Sequence, residues 1–92
     1  MATNITTHYK AASGIVVNVT AGVVNRVVAI HAATSAAGTF DLHDSTGTSK
    51  IKFHVSGSTT SDIYIGEMGI RFDGTISASM PADGASLTLI VG

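Results

Sequence analysis

No cysteine occurs among the 92 residues. That excludes disulfides, thiolate metal sites and thiol nucleophiles, and leaves the redox compartment open. A small chain without such staples takes its stability from its core or from contact with other subunits. Charge is also scarce: 12% of residues are Asp, Glu, Lys or Arg, against about 25% in an ordinary soluble domain. The five basic residues, Lys10, Arg26, Lys50, Lys52 and Arg71, are scattered and the net charge is −1. Neither nucleic acid nor an anionic membrane is an expected partner, because both select clustered Lys and Arg. The longest apolar tract, Val23 to Ala37, is interrupted by Asn25, Arg26 and His31 and is too short and polar to cross a bilayer. The opening MATNITTHYK lacks the basic-then-apolar pattern of a secretory leader. The glycosylation sequons at Asn4 and Asn18 are therefore expected to be chance matches.

What is present is β-type sequence. Short runs of Val, Ile, Thr and Phe alternate with turn residues at intervals of roughly eight to twelve, and no stretch combines helical spacing with a cap. The runs are 5–10, 15–19, 23–33, 39–44, 50–55, 62–66, 69–72, 75–80 and 86–91. Most of the ten glycines fall between them, where positive φ is useful. The pattern predicts an all-β chain: a single antiparallel β-sandwich over residues 1–92, jelly-roll-like or Ig-like, of about eight short strands. In the third run the apolar phase is broken, which places a bulge near Asn25-Arg26. The last run, Leu87 to Val91, is apolar on both faces, so it is either central in its sheet or covered by a neighbouring subunit.

The stretch TFDLHDSTGTSKIKFHV (39–55) gathers two histidines, two aspartates and two lysines around a Ser/Thr/Gly turn. With the turn at residues 45–48, Asp44 faces Ser49, His43 faces Lys50, Leu42 faces Ile51, Asp41 faces Lys52 and Phe40 faces Phe53. Phe40, Leu42, Ile51, Phe53 and Val55 then share an apolar face, while Asp41, His43, Lys50, Lys52 and His54 share a wet one. An amphipathic hairpin explains the cluster without any chemistry. Further on, Asp73-Gly74 suggests a tight hairpin, either a two-residue turn or a three-residue loop that pairs Phe72 with Ile76.

Nothing here reads as a catalytic or cofactor site. His8, His31, His43 and His54 lie on four different strands, whereas zinc wants convergent ligands, commonly two of them close in sequence. No Gly-x-Ser-x-Gly elbow occurs, the carboxylates are out of phase or at turns, and Gly66-Glu67-Met68-Gly69 lacks a phosphate-binding fingerprint. Catalytic, cofactor and metal residues are all expected to be absent. Tyr9 and Tyr64 are the only rings the core does not claim, and the plain expectation for them is half-burial at strand edges. With so little charge and a mean hydropathy of +0.39, the surface is expected to contact other chains. The residues expected at such contacts are Ile5, His8, Tyr9, Tyr64 and Ile90, with residues 1–13 as an N-terminal arm or edge strand reaching a neighbour.

The stretches VNVTAGVVNRVVAIHAATSAAGTFDLHDSTGTSKI and GEMGIRFDGTISASMPADGASLTLIVG together cover the chain from about Asn18 onward. The sequence resembles small β-sandwich virion proteins of tailed bacteriophages. In these an Arg-Val-Val strand precedes a small-residue loop, and a Phe-Asp-Gly turn leads to an alternating strand and a final apolar one. The resemblance implies a capsid decoration or cement protein, assembled in the host cytoplasm and seated on the capsid surface. It further implies a symmetric homo-oligomer, a trimer above others, bound to the major capsid protein. A tail- or fibre-associated module that binds a host receptor or glycan is the alternative. Neither role needs a cofactor.

Overall fold

The computed structural model describes residues 6–20, 22–66, 68–81 and 84–92. The alternating runs become nine strands: β1 (Thr6–Lys10), β2 (Gly14–Val17), β3 (Val24–Thr34), β4 (Gly38–His43), β5 (Ser49–Val55), β6 (Thr59–Tyr64), β7 (Ile70–Asp73), β8 (Ile76–Ser79) and β9 (Ser86–Val91). Every pairing is antiparallel. Sheet A has the order β1-β9-β3-β6, with β7 also paired to β3; sheet B has the order β2-β8-β4-β5. β6 and β7 occupy successive stretches of the same β3 edge, opposite Ala29–Thr34 and Val24–Val27. They are therefore two halves of one interrupted strand. The connection β4–β5 is a hairpin, whereas most others among the described residues pass from one sheet to the other. That is jelly-roll order. An Ig fold would keep several consecutive strands side by side.

The inward residues of both sheets form one core, in which Phe40, Phe72, Leu42, Ile76, Leu87, Leu89 and Val27 are fully buried. Phe40 and Phe53, paired across the hairpin, stack with centroids 5.2 Å apart and planes 3° from parallel. β9 lies between β1 and β3, so the run apolar on both faces is a central strand.

Four local expectations are corrected. The β3 bulge sits at Val28, not at Asn25-Arg26, which pair regularly with Phe72 and Arg71. The β3–β9 register slips between Val27 and Ala29, and the Val28 carbonyl accepts both Ile65 N (2.8 Å) and Gly66 N (3.2 Å). The extra residue is needed where the chain leaves the edge between β6 and β7. The chain returns at Gly69, with φ +62, where a Cβ would stand 2.9 Å from the Val27 carbonyl oxygen. Second, the hairpin register holds from Phe40 to Leu42, but a slip then puts His43 opposite Ser49 rather than Lys50. Third, Asp73-Gly74 closes no hairpin. β7 belongs to sheet A and β8 to sheet B, and Phe72 and Ile76 are both buried in the core between them. Alternation alone does not distinguish strands paired within a sheet from strands packed across the core. Fourth, β6 begins at Thr59, three residues before the apolar run, because backbone pairing with Thr34, Ala33 and Ala32 needs no apolar side chain.

Candidate interaction surface

The outer face of sheet A follows from the register. One row across the sheet is Thr7, Ile90, Ala29, Tyr64; the next is Tyr9, Thr88, His31, Asp62; a third is Ser86, Ala33, Thr60. The residues between these rows point inward, among them Leu87, Leu89, Ile30 and Ala32, all buried. Tyr9 is 65% exposed and Tyr64 76%, so neither ring is half-buried at an edge as expected. They stand at opposite sides of a surface of mostly small residues around Ile90 and the His31–Asp62 pair, on strands separated by three spacings, about 14 Å. Apart from the tyrosines, the only titratable side chains in these rows are His31 and Asp62, which are paired through Nδ1 and Oδ1. At one end of the face Arg26 lies opposite Arg71; Arg26 donates to the Met68 carbonyl (3.2 Å), and Arg71 to Asp73 Oδ1 (2.9 Å).

The outer face of sheet B differs in kind. It carries Asp41, His43, Lys50, Lys52 and His54 along the hairpin, as expected from the alternation. Asp41 Oδ2 lies 3.4 Å from His43 Nε2 and 4.0 Å from Lys52 Nζ. Both outer faces therefore carry charge, but on sheet A the arginines and Asp73 are confined to one end and both tyrosines stand on the rest. Its accessible surface is 5017 Å², against about 5,000 Å² for a compact monomer of this mass. The amount of exposed surface is thus that of a fold closed on itself.

Of the five expected contact residues, Tyr9, Tyr64 and Ile90 come together on this one face. His8 does not: it points to the inner side of β1, half-buried at the rim, with Thr6 Oγ1 2.9 Å from its Nε2. Ile5 lies outside the described residues, as do the other members of 1–5. Residues 6–10 form an edge strand on β9 of the same chain. Ala29, Thr88 and the His31–Asp62 pair complete the surface. Sequence alone did not single them out, because their meeting depends on β9 lying between β1 and β3.

Two further features bear on chemistry. Asp44 has a fully buried side chain. Its Oδ1 accepts the Thr46 hydroxyl and the Thr46 N–H (3.0 Å), and its Oδ2 accepts the Asp73 N–H (3.2 Å). The Thr46 hydroxyl, then the two backbone N–H groups and Lys50, hold its carboxyl below the ordinary value against the opposing effect of burial. This is a structural knot between two turns. At one end of sheet A a shallow open groove of about 630 Å³ is lined by Ala33, Thr34, Ser35, Ser58, Thr59 and Thr60. His43 and His54 are well separated on the hairpin, since His54 pairs with Thr39, and among the described residues no three His, Asp or Glu side chains are grouped to hold a metal ion.

A scan of protein-family models and searches of curated proteins and of solved structures find no match to this chain.

Proposed function

We propose that the protein is a structural assembly subunit that works through contact surfaces rather than chemistry, and that its setting is the capsid surface of a tailed phage, as a decoration or cement protein on the major capsid protein. The observation that carries the assembly reading is the exposure of Tyr9 (65%) and Tyr64 (76%) on either side of Ile90 on the outer face of sheet A, with Arg26, Arg71 and Asp73 confined to one end of it. A face of that kind favours a partner over water. The phage setting is drawn from the sequence resemblance. Jelly rolls recur in viral capsid domains, but also in lectins, and a fold alone does not assign a role. An oligomer of such sandwiches touching several capsid subunits at once multiplies weak contacts into firm attachment.

The test is co-sedimentation of the purified protein with undecorated phage heads. Saturable binding at regular sites is expected; binding no greater than that of an unrelated jelly roll would contradict the capsid setting. Deleting residues 2–12 is a poor probe, because it removes β1 and its pairing with β9. Substituting Thr7 and Tyr9, both on the outer side of β1, leaves the ladder intact.

A second reading is favoured by the groove at Ser58–Thr60 and the two exposed tyrosines: a tail-associated module that holds a glycan. The groove presents the hydroxyls of Thr34, Ser35, Ser58, Thr59 and Thr60, groups that can hydrogen-bond a sugar. Glycan-array binding combined with failure to bind heads would select it.

A further inference from the structure

We infer that Met68 is a site of reversible oxidation by peroxides, and that taking up oxygen there leaves the fold intact. The inference stands apart from both the assembly reading and the phage setting.

Cysteine is absent, so the three methionines supply all the sulfur of the chain. Met1 lies outside the described residues. The other two have contrasting surroundings. Met68 falls between β6 and β7, and at 78% exposure it is the most open of the large apolar side chains among the described residues. Met80 follows β8 and is partly buried against the core. Its backbone is pinned by the Ser13 hydroxyl, which accepts from the Met80 N–H (2.9 Å) and donates to the Met80 carbonyl (3.3 Å). A peroxide must reach the sulfur to oxidise it, so the open side chain reacts first.

The step needs only the peroxide. A lone pair of the Met68 sulfur attacks one oxygen of hydrogen peroxide. The S–O bond forms as the O–O bond breaks, and the second oxygen leaves as water once a proton has shifted to it. Sulfur loses two electrons and the peroxide gains them. The product is a polar, chiral sulfoxide.

Nothing that holds the chain at this point uses the side chain. The Met68 carbonyl accepts Arg26 Nη1 (3.2 Å), and the Gly69 N–H donates to the Gly66 carbonyl (3.0 Å). The Met68 side chain is no part of the core cluster, so an added oxygen meets water and disturbs no packing. The same oxygen on Met80 would press a polar group against the core. An exposed sulfoxide is also open to methionine sulfoxide reductases, which pass its oxygen to water while two thiols become a disulfide. Oxidation thus makes the apolar side chain beside Arg26 polar while the sandwich stays closed.

The test treats the folded full chain with hydrogen peroxide and scores each methionine by peptide mapping for the gain of one oxygen. Met68 is expected to react at least about tenfold faster than Met80, and the two rates to converge in concentrated urea, where burial is lost. Protein oxidised at Met68 alone is expected to keep the urea midpoint of the untreated chain. So is Met68→Gln, whose amide imitates the polarity of the sulfoxide. Reductases of both stereospecificities, supplied with dithiothreitol, are expected to restore the original mass of the folded, oxidised protein. Four results overturn the inference: equal rates at Met68 and Met80 in the folded protein, a rate difference that persists in urea, a midpoint lowered by Met68 oxidation or by Met68→Gln, or a Met68 sulfoxide that the reductases leave untouched.

Discussion

The carboxylate of Asp44 accepts the backbone N–H of Asp73 at 3.2 Å, across 29 residues of sequence. Ser45 reinforces the junction: its N–H (3.0 Å) and its hydroxyl (2.6 Å) both donate to the Asp73 carbonyl. The β4–β5 turn on sheet B is thereby tied to the point where the chain leaves β7 for the other sheet. This knot closes one end of the sandwich without a disulfide.

Asp44 makes the fold acid-sensitive in a defined direction. Its folded pKa lies below the ordinary value of 3.8. A depressed carboxyl stabilises the fold fully above the unfolded value and loses that contribution as pH falls through the folded value. Asp44→Asn is expected to lower the urea midpoint at pH 7, because its amide presents N–H groups where the Asp73 N–H needs an acceptor. It is also expected to flatten the loss of stability below pH 3.8. An unchanged acid limb would show that other groups govern it.

Gly74 sits beside the knot at φ +77, and a Cβ there would lie 2.5 Å from Ser45 Oγ and 2.8 Å from Ser45 Cβ. Gly74→Ala is expected to cost about 1–3 kcal/mol through backbone strain and the clash. In a Ser45→Gly background the clash disappears and the penalty is expected to shrink toward about 1 kcal/mol. Equal penalties in both backgrounds, measured by chemical denaturation, would rule out the close approach.

Asn25 is inward-facing on β3, opposite Phe72, and its Nδ2 is buried without a hydrogen-bond acceptor among the described residues. Replacing an unsatisfied amide with an apolar side chain of similar size removes a desolvation cost. Asn25→Leu is expected to raise stability by about 1 kcal/mol, read as a higher denaturant midpoint with an unchanged slope. A lower midpoint would mean that the amide is satisfied in solution.

How much of this was legible beforehand depends on range. The strand positions and the two faces of the β4–β5 hairpin follow from alternation, because Phe40, Leu42, Ile51 and Phe53 against Asp41, Lys52 and His54 leave one way to bury the greasy side. Strand order does not follow, since nothing near Ile90 in sequence says that Thr7 will lie on one side and Ala29 on the other. For the same reason Asp73-Gly74 reads as a hairpin when it is a passage between sheets, and Asp44 reads only as a carboxylate out of phase with Asp41 on its strand when it is the buried centre of a knot. Three of the five expected contact residues converge because exposed aromatic and aliphatic positions on a sparsely charged chain have few other uses. The small residues between them carried no local signal.

The most direct measurement uses the tyrosines themselves. The chain has no tryptophan and two tyrosines, and both stand on the outer face of sheet A, so ultraviolet fluorescence reports on that surface. Acrylamide quenching should weaken as protein concentration rises through the dissociation range of the assembly. Quenching that stays at the exposed-ring level up to hundreds of micromolar would mean that the face remains open to water, and would contradict the central claim that another subunit covers it.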